Sequence, residues 1–319
     1  MRQSLVSRGS LRLFLAFFAI YVLWGSTYLA IRVAVSAVPP LFAAGVRFAI
    51  AGTALFLWVR LRGGAAPTRL EWWNLSILAT LMFLIAYSGL FWAEQTVPSG
   101  VASLIVATVP MWTAVLEICV FKRQRMQWTL VAVIALGVAG VAVLALDRRV
   151  TGVNAFACLA ILASDLAWSL GTVLTTRLAL PSSKMLGAGA QMMIGGGMLL
   201  ICSLAIGEMP PWPHVSMATA AAIAYLIVAG SLIAFTAYQW LLTQLPATKV
   251  TSYAYVNPVV ALAIGHWLGG EAINAKTIVG SIMILASTVA LLRGRTYLTR
   301  FPNEQSQASA RLPGQVESA

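Results

Sequence analysis

Apolar runs of about 20 residues recur from residue 12 to residue 293, parted by short polar breaks, and each is long enough to cross a hydrocarbon core of about 30 Å as a helix. The pattern predicts ten spans, over residues 12–32, 41–61, 72–93, 98–121, 127–146, 154–177, 184–206, 217–243, 247–268 and 275–293. No stretch is left for a soluble domain. Residues 1–11 are a short leading segment, and the polar, aperiodic residues 294–319 are expected to form a disordered tail.

In such a chain the polar positions inside the spans carry the information. Span nine holds two tyrosines, an asparagine and a proline within Ser252 to Ala261. Pro258 has no amide hydrogen to donate to the carbonyl of Ala254, which predicts a kink, and the freed carbonyl must face protein or a watery cavity. Tyr253 and Asn257 share one helical face, with Ser252 and Tyr255 on the next, so this side is expected to line a central cavity; bonding to neighbouring helices is the alternative for Asn257. Pro110 falls mid-span in span four and predicts a second kink.

Other spans add candidates of the same kind. Tyr21, Trp24 and Tyr28 form an aromatic stripe on span one. Arg47 lies about seven residues inside span two, where it needs a partner, carbonyls or water, or must snorkel to the surface. Span three carries Tyr87 and Ser88 and ends in Trp92, Glu94 and Gln95; Glu94 is either paired with Arg47 or solvated at the boundary. Span six has Asp165 in its middle, on one face with Trp168 and Thr172. A lone mid-membrane carboxylate is a candidate proton carrier, unless Arg47 reaches across as a fixed ion-pair partner. Gln191 stands beside three glycines at 195–197, and span eight closes with Tyr238, Gln239 and Trp240. The substrate-cavity set is therefore Trp24, Tyr28, Arg47, Trp92, Asp165, Trp168, Gln191, Tyr238, Tyr253, Tyr255 and Asn257. Spans five and ten carry small residues and no buried charge, which suits packing helices at the periphery or at a homodimer contact.

An internal repeat runs through the chain. A shift of 144 places Trp24 over Trp168, Arg47 over Gln191 and Gly52 over Gly196; a shift of 148 places Trp92 over Trp240, Pro98 over Pro246 and Pro110 over Pro258. Five spans per half is an odd number, so the second half enters the membrane inverted. The fold expected is an all-α membrane protein of ten transmembrane helices in two inverted five-helix repeats, over 12–146 and 154–293.

Composition agrees: 60% of the 319 residues are hydrophobic and 9% charged, far from a soluble domain. A net charge of +12 is of the size found in nucleic-acid-binding proteins, but the basic residues stand at span ends. Sixteen of the 21 lie on the side of the N-terminus, and Arg32, Arg148, Arg149 and Lys276 on the other, which predicts cytoplasmic termini in the cytoplasmic (inner) membrane and no nucleic-acid partner. The first span is expected to be retained, since it lacks a small-residue cleavage site. Cys119, Cys158 and Cys202 fall inside spans and are expected to stay unpaired, and His214 and His266 have no ligand spacing, so neither disulfide, metal nor cofactor is expected. Glu117 is expected to pair with Lys122 and Arg123.

The stretches YVLWGSTYLAIR, VPSGVAS, ATVP, SYAYVNPVVA and LGGE, in this order over residues 11–293, resemble the EamA-type transporters of the drug/metabolite transporter superfamily, and bacterial inner-membrane exporters of metabolites and amino acids most of all. The resemblance implies two inverted repeats, a central cavity formed mainly by helices 1, 3, 4, 6, 8 and 9, alternating access, and export of small organic molecules. It names no cargo. One departure stands out: many members carry a glutamate after helix 4 as well as after helix 9, whereas Glu271 here is matched by Arg123, so Glu271 reads as a helix-start or interface group.

The function expected is a secondary transporter moving a small metabolite, amino acid or drug-like molecule outward by alternating access, with proton coupling through Asp165. The chain has no G-x-x-x-x-G-K-[ST] loop for a nucleotide-driven pump. An integral-membrane enzyme would need acids, bases or metal ligands clustered at one interface, and nine acidic residues with two distant histidines offer none. A receptor, a structural membrane protein and an uptake facilitator are the competing functions for a chain of this composition.

Overall fold

The structure is a computed structural model, and it describes residues 11–121, 128–145, 155–208, 215–245 and 250–293. These residues form ten helices and no strand: α1 Leu11–Val35, α2 Pro40–Leu61, α3 Arg69–Ala93, α4 Ser99–Val120, α5 Trp128–Ala145, α6 Ala155–Thr175, α7 Lys184–Ala205, α8 Met217–Gln244, α9 Tyr253–Trp267 and α10 Ala275–Arg293. Seven of them are long and apolar enough to cross a membrane; α5, α9 and α10 carry shorter apolar stretches, Val131–Leu144, Val256–Trp267 and Ala275–Ser287. The chain is thus a multi-pass membrane protein. Helix bounds fall within about three residues of those read from hydropathy, except that a turn at Thr251 and Ser252 delays α9 to Tyr253. The leading segment, the tail and His214 lie outside the described residues.

Local chemistry sets the helix ends. Thr68 and Glu71 close a capping box on α3, Ser183 and Ser216 cap α7 and α8, and Pro40 opens α2 where its missing amide hydrogen costs no bond. α4 is interrupted at Ala107 and Thr108, so Pro110 sits in the first turn of the continuing segment instead of breaking a ladder. Pro258 stays inside α9. Helices α1, α3 and α8 each contain a π-helical turn, at Ala19–Leu23, Thr80–Ile85 and Leu226–Phe235. Each such turn shifts the helical phase and frees carbonyls.

The main cluster of buried apolar residues draws mostly on α1 to α4 and α6 to α9. Several of the larger helix contacts answer one another when each helix is exchanged with the one five places on: α1 with α8 answers α6 with α3, α1 with α9 answers α6 with α4, and α2 with α7, α4 with α9 and α5 with α10 are self-paired, whereas α1 with α4 and α4 with α10 have no counterpart of their size. α2 and α7 meet along glycines, backbone against backbone. α5 and α10 form a side pair, with Gly140 against Gly280 and Ser287 donating to the Val133 carbonyl at 2.8 Å, while Trp128, Val138 and Ile282 face outward.

Consecutive helices alternate in direction. At one end Arg32 and Ser99 meet Glu271, and Phe42 meets Glu208; at the other Asn74 meets Ala179, and Arg177 meets Glu117. We refer to these as the Val35 end and the Arg60 end.

Candidate functional site

The inner helices leave a cavity of about 60 Å³ between them. α1 contributes Trp24, Thr27, Tyr28 and Ile31, the positions a 3.6-residue period places on one face. α3 adds Ala86, Tyr87 and Leu90, α4 adds Val106 and Val109, α6 adds Ser164, Asp165 and Trp168, and α9 adds Tyr253 and Asn257. Such a space holds a few waters and is smaller than the roughly 300 Å³ of a common ligand pocket.

Aromatic rings close it toward the Arg60 end. Trp24 meets Trp168 at 5.8 Å and 76°, Tyr253 at 5.3 Å and 82°, and Tyr238 at 5.1 Å and 44°. Edge-to-face contacts of this kind favour a rigid cluster, and hydrogen bonds lock it. Trp24 Nε1 donates to the Gly230 carbonyl at 2.9 Å, Trp168 Nε1 donates to the Tyr253 hydroxyl at 3.1 Å, and the Tyr238 hydroxyl shares a 2.7 Å bond with Thr172. Tyr238 therefore supports the floor and does not line the cavity.

Asp165 is 2% exposed and accepts one side-chain bond, from Thr108 Oγ1 at 2.9 Å. The ion pairs among the described residues are Arg32 with Glu271 and Arg177 with Glu117, so Asp165 has no cationic partner there. Arg47 does not reach it. The guanidinium lies buried behind Tyr87 and Thr27, its Nε donating to Ser231 Oγ at 2.9 Å and its Cζ 4.5 Å from the Phe48 ring centre and 5.2 Å from that of Tyr87. Neither the fixed pair with Asp165 nor snorkelling describes it: an aromatic box and the Ser231 hydroxyl hold this cation, and its Nη1 is buried with no hydrogen-bond partner among the described residues.

Asn257 lines the cavity, and its amide, turned with nitrogen toward α1, donates to the carbonyls of Tyr21 at 2.8 Å and Ile20 at 2.9 Å. These carbonyls belong to the π-helical turn of α1, so helix-to-helix bonding, the alternative for this residue, is part of its role. Gln191 lies outside the cavity, accepting from Gln239 Nε2 at 2.7 Å in a buried α7–α8 contact. Trp92 is 45% exposed on the outer surface. Five residues after Tyr87 it points about 140° away round the helix, so both cannot face the cavity. The Tyr255 side chain lies outside the described residues.

Among the lining residues, Tyr87, Thr27 and Ser164 are polar contributors absent from the sequence-derived set, as is Thr108, which bonds Asp165 without lining the cavity. The shift of 148 that aligns the halves places Tyr87 over Phe235, another member of the aromatic cluster, and Thr108 directly precedes the Val109-Pro110 step.

The Val35 end is closed by a clasp. Glu271 pairs with Arg32 at 3.0 Å and accepts from the Ser99 amide at 2.8 Å, the Ser99 hydroxyl at 2.7 Å and the Gly100 amide at 3.1 Å. It thereby satisfies the exposed amides at the start of α4. Glu117, expected beside Lys122 and Arg123, instead takes two bonds from Arg177 Nη2 at 2.9 Å; Lys122 and Arg123 lie outside the described residues.

Glu94, just past the last turn of α3, is not solvated at the boundary. It is fully buried beneath this clasp, and neither of its oxygens has a hydrogen-bond partner among the described residues. Burial lifts its carboxyl well above the ordinary 4.5, Glu271 adds to the lift, and Arg32 and Arg47 oppose it. A glutamate with a higher pKa folded than unfolded holds its proton more tightly when folded, so its stabilising contribution is full below about 4.5 and is lost as the pH rises toward the folded value. Thermal melts in detergent are expected to shift downward as pH rises from about 4.5 toward neutrality, and Glu94→Gln, neutral throughout, to flatten that slope.

Comparison with known proteins gives one family. The model of the EamA-like transporter family matches residues 11–146 and again 155–293. The chain is 38% identical over 270 residues to the uncharacterized inner membrane transporter YedA of Escherichia coli (strain K12), covering 84% of this chain and 86% of that one. It is 25% identical over 279 residues to the protein PecM of Dickeya dadantii (strain 3937), covering 85% and 90%. A solved crystal structure shares the fold, with a TM-score of 0.62 at 20% identity over 90% of this chain and 98% of that one.

Proposed function

We propose, since this chain belongs to the EamA-like transporter family, that it is a secondary transporter exporting a small organic molecule across the inner membrane by alternating access. One observation carries the reading: the cavity takes its walls from both matched segments, with α1, α3 and α4 facing α6 and α9. A cavity shared by two halves changes access when the halves rock against each other.

Ten spans in two inverted repeats, over 12–146 and 154–293, with both termini cytoplasmic, complete the proposal. The helix contacts that answer one another under exchange and the alternation of helix directions support it. The Val35 end then faces outward, and the clasp of Arg32, Glu271 and Ser99 is the closed outer side. Asp165 carries the coupling proton.

Cells overproducing the chain, challenged with a panel of toxic metabolites, test the reading. Resistance to some members is expected, with faster efflux of the same compounds from loaded proteoliposomes, and Trp24→Ala is expected to remove both at unchanged abundance in the membrane. If the reconstituted protein accelerates no flux across the panel, the transporter reading fails.

A further inference from the structure

The wall chemistry of the cavity is one-sided. Asp165 is the one charged residue among those lining it, and five of the others, Trp24, Tyr28, Tyr87, Trp168 and Tyr253, are aromatic. The rings stand close to perpendicular, Trp24 against Trp168 at 76°, Trp24 against Tyr253 at 82° and Tyr87 against Trp168 at 86°, like the panels of a box.

The donors in this wall are spent on the protein itself. Trp24 Nε1 is bound to the Gly230 carbonyl and Trp168 Nε1 to the Tyr253 oxygen. Thr27 donates to the Trp24 carbonyl at 2.6 Å and Ser164 to the Ala160 carbonyl at 2.8 Å, while Thr108 donates to Asp165. What the cavity presents is a carboxylate and π systems, which attract positive charge, with phenolic hydroxyls as its adaptable groups. The guanidinium that an anionic ligand would need is buried outside, boxed by Phe48 and Tyr87 and bonded to Ser231.

We propose that this cavity binds the positively charged head of an organic cation, an ammonium or methylated ammonium group, with Asp165 as its counter-ion and the aromatic box as its wall. Passage of the bound cation across the membrane rests on the transport reading; its binding does not. Aromatic boxes with a carboxylate suit quaternary ammonium groups, because such a cation needs charge and π density more than hydrogen bonds. The small volume restricts the captured part to a compact head and leaves any longer body outside it.

Equilibrium binding of radiolabelled choline to the purified full-length protein tests this, with tetramethylammonium and the neutral isostere 3,3-dimethyl-1-butanol as competitors. Choline and tetramethylammonium are expected to compete, and the isostere to bind at least about tenfold more weakly. Asp165→Asn is expected to abolish the preference for the cation over its isostere, and Asp165→Glu to retain it. No choline binding at millimolar concentration, equal binding of the isostere by the parent protein, or a cation preference surviving in Asp165→Asn would each overturn the inference. Counterflow of the same choline in proteoliposomes reads transport separately. Binding of choline with no flux of choline or of any compound of the panel would uphold the cation site and remove the transport reading, whereas flux of a neutral or anionic compound with no choline binding would do the reverse.

Discussion

Leucine in place of Gly52 or Gly196 is expected to prevent this chain from folding, whereas leucine in place of Gly197, one residue on, is expected to leave it intact. A Cβ on Gly52 would stand 2.2 Å from the Met193 nitrogen and 2.8 Å from the Gly189 carbonyl oxygen. One on Gly196 would stand 2.2 Å from the Ala49 nitrogen. The atoms it meets are backbone, which cannot rotate aside, so α2 and α7 must separate along their whole seam. Between helices in lipid that seam is held by van der Waals contact, with little hydrophobic drive to restore it. The loss is therefore expected to exceed the 1 to 3 kcal/mol of ordinary overpacking and to reach about 4 kcal/mol or more. Gly197 has nothing within 4 Å of its added Cβ. Thermal melting and gel filtration in detergent separate the outcomes: Gly197→Leu should elute and melt like the parent, and the other two should aggregate. Three equal profiles would mean the seam is not close-packed.

That seam was half legible in the sequence. The shift of 144 laid Gly52 over Gly196, and Gly45 and Gly189 stand seven residues before them in the same register, but nothing in either helix told which faces the other. Apolar spans have little contrast between a lipid face and a protein face, so periodicity yields lengths and leaves partners open. Polar residues fared better where one helix settled the matter. Trp24 with Tyr28, Asp165 with Trp168, and Tyr253 with Asn257 are pairs at spacings of three or four, and the structure gathers them round one cavity. Where a partner is far along the chain, local reasoning had no purchase: Arg47 is held by Ser231, and Glu271 caps α4. The π-helical turn in α3 adds its own obstacle, because one inserted residue turns every later residue by about 100° and detaches the face of Tyr87 from that of the earlier turns. Glu94 escaped because a carboxylate at a span end is usually wet, and here the Glu271 loop covers it.

Asp165→Asn is expected to abolish substrate accumulation driven by a proton gradient while leaving downhill exchange measurable. The carboxylate sits 2% exposed among aromatic rings, with one hydroxyl donor from Thr108 and no cationic partner among the described residues. A charge so placed is costly, and the cost is relieved by a proton, by water when the cavity opens, or by a cationic ligand. Proton and ligand then compete for one site, and a carrier that changes access only when the site is neutralised exchanges one for the other. Arg47 does not reach Asp165 in this arrangement, where Ser231 and the aromatic box hold it. Asparagine keeps the shape of the side chain and its bond to Thr108, and it is neutral in both access states, so the helices can still rock with nothing to link them to the gradient. The measurement is uptake into inside-out vesicles with and without an imposed pH difference, set beside counterflow at equal pH in the same preparation. Counterflow retained, at a higher substrate concentration where the substrate is a cation that has lost its counter-ion, with the gradient response lost is the expected pair. An Asn variant that accumulates substrate against its gradient as well as the parent does would move the proton elsewhere, with the buried Glu94 as the next carboxylate to substitute.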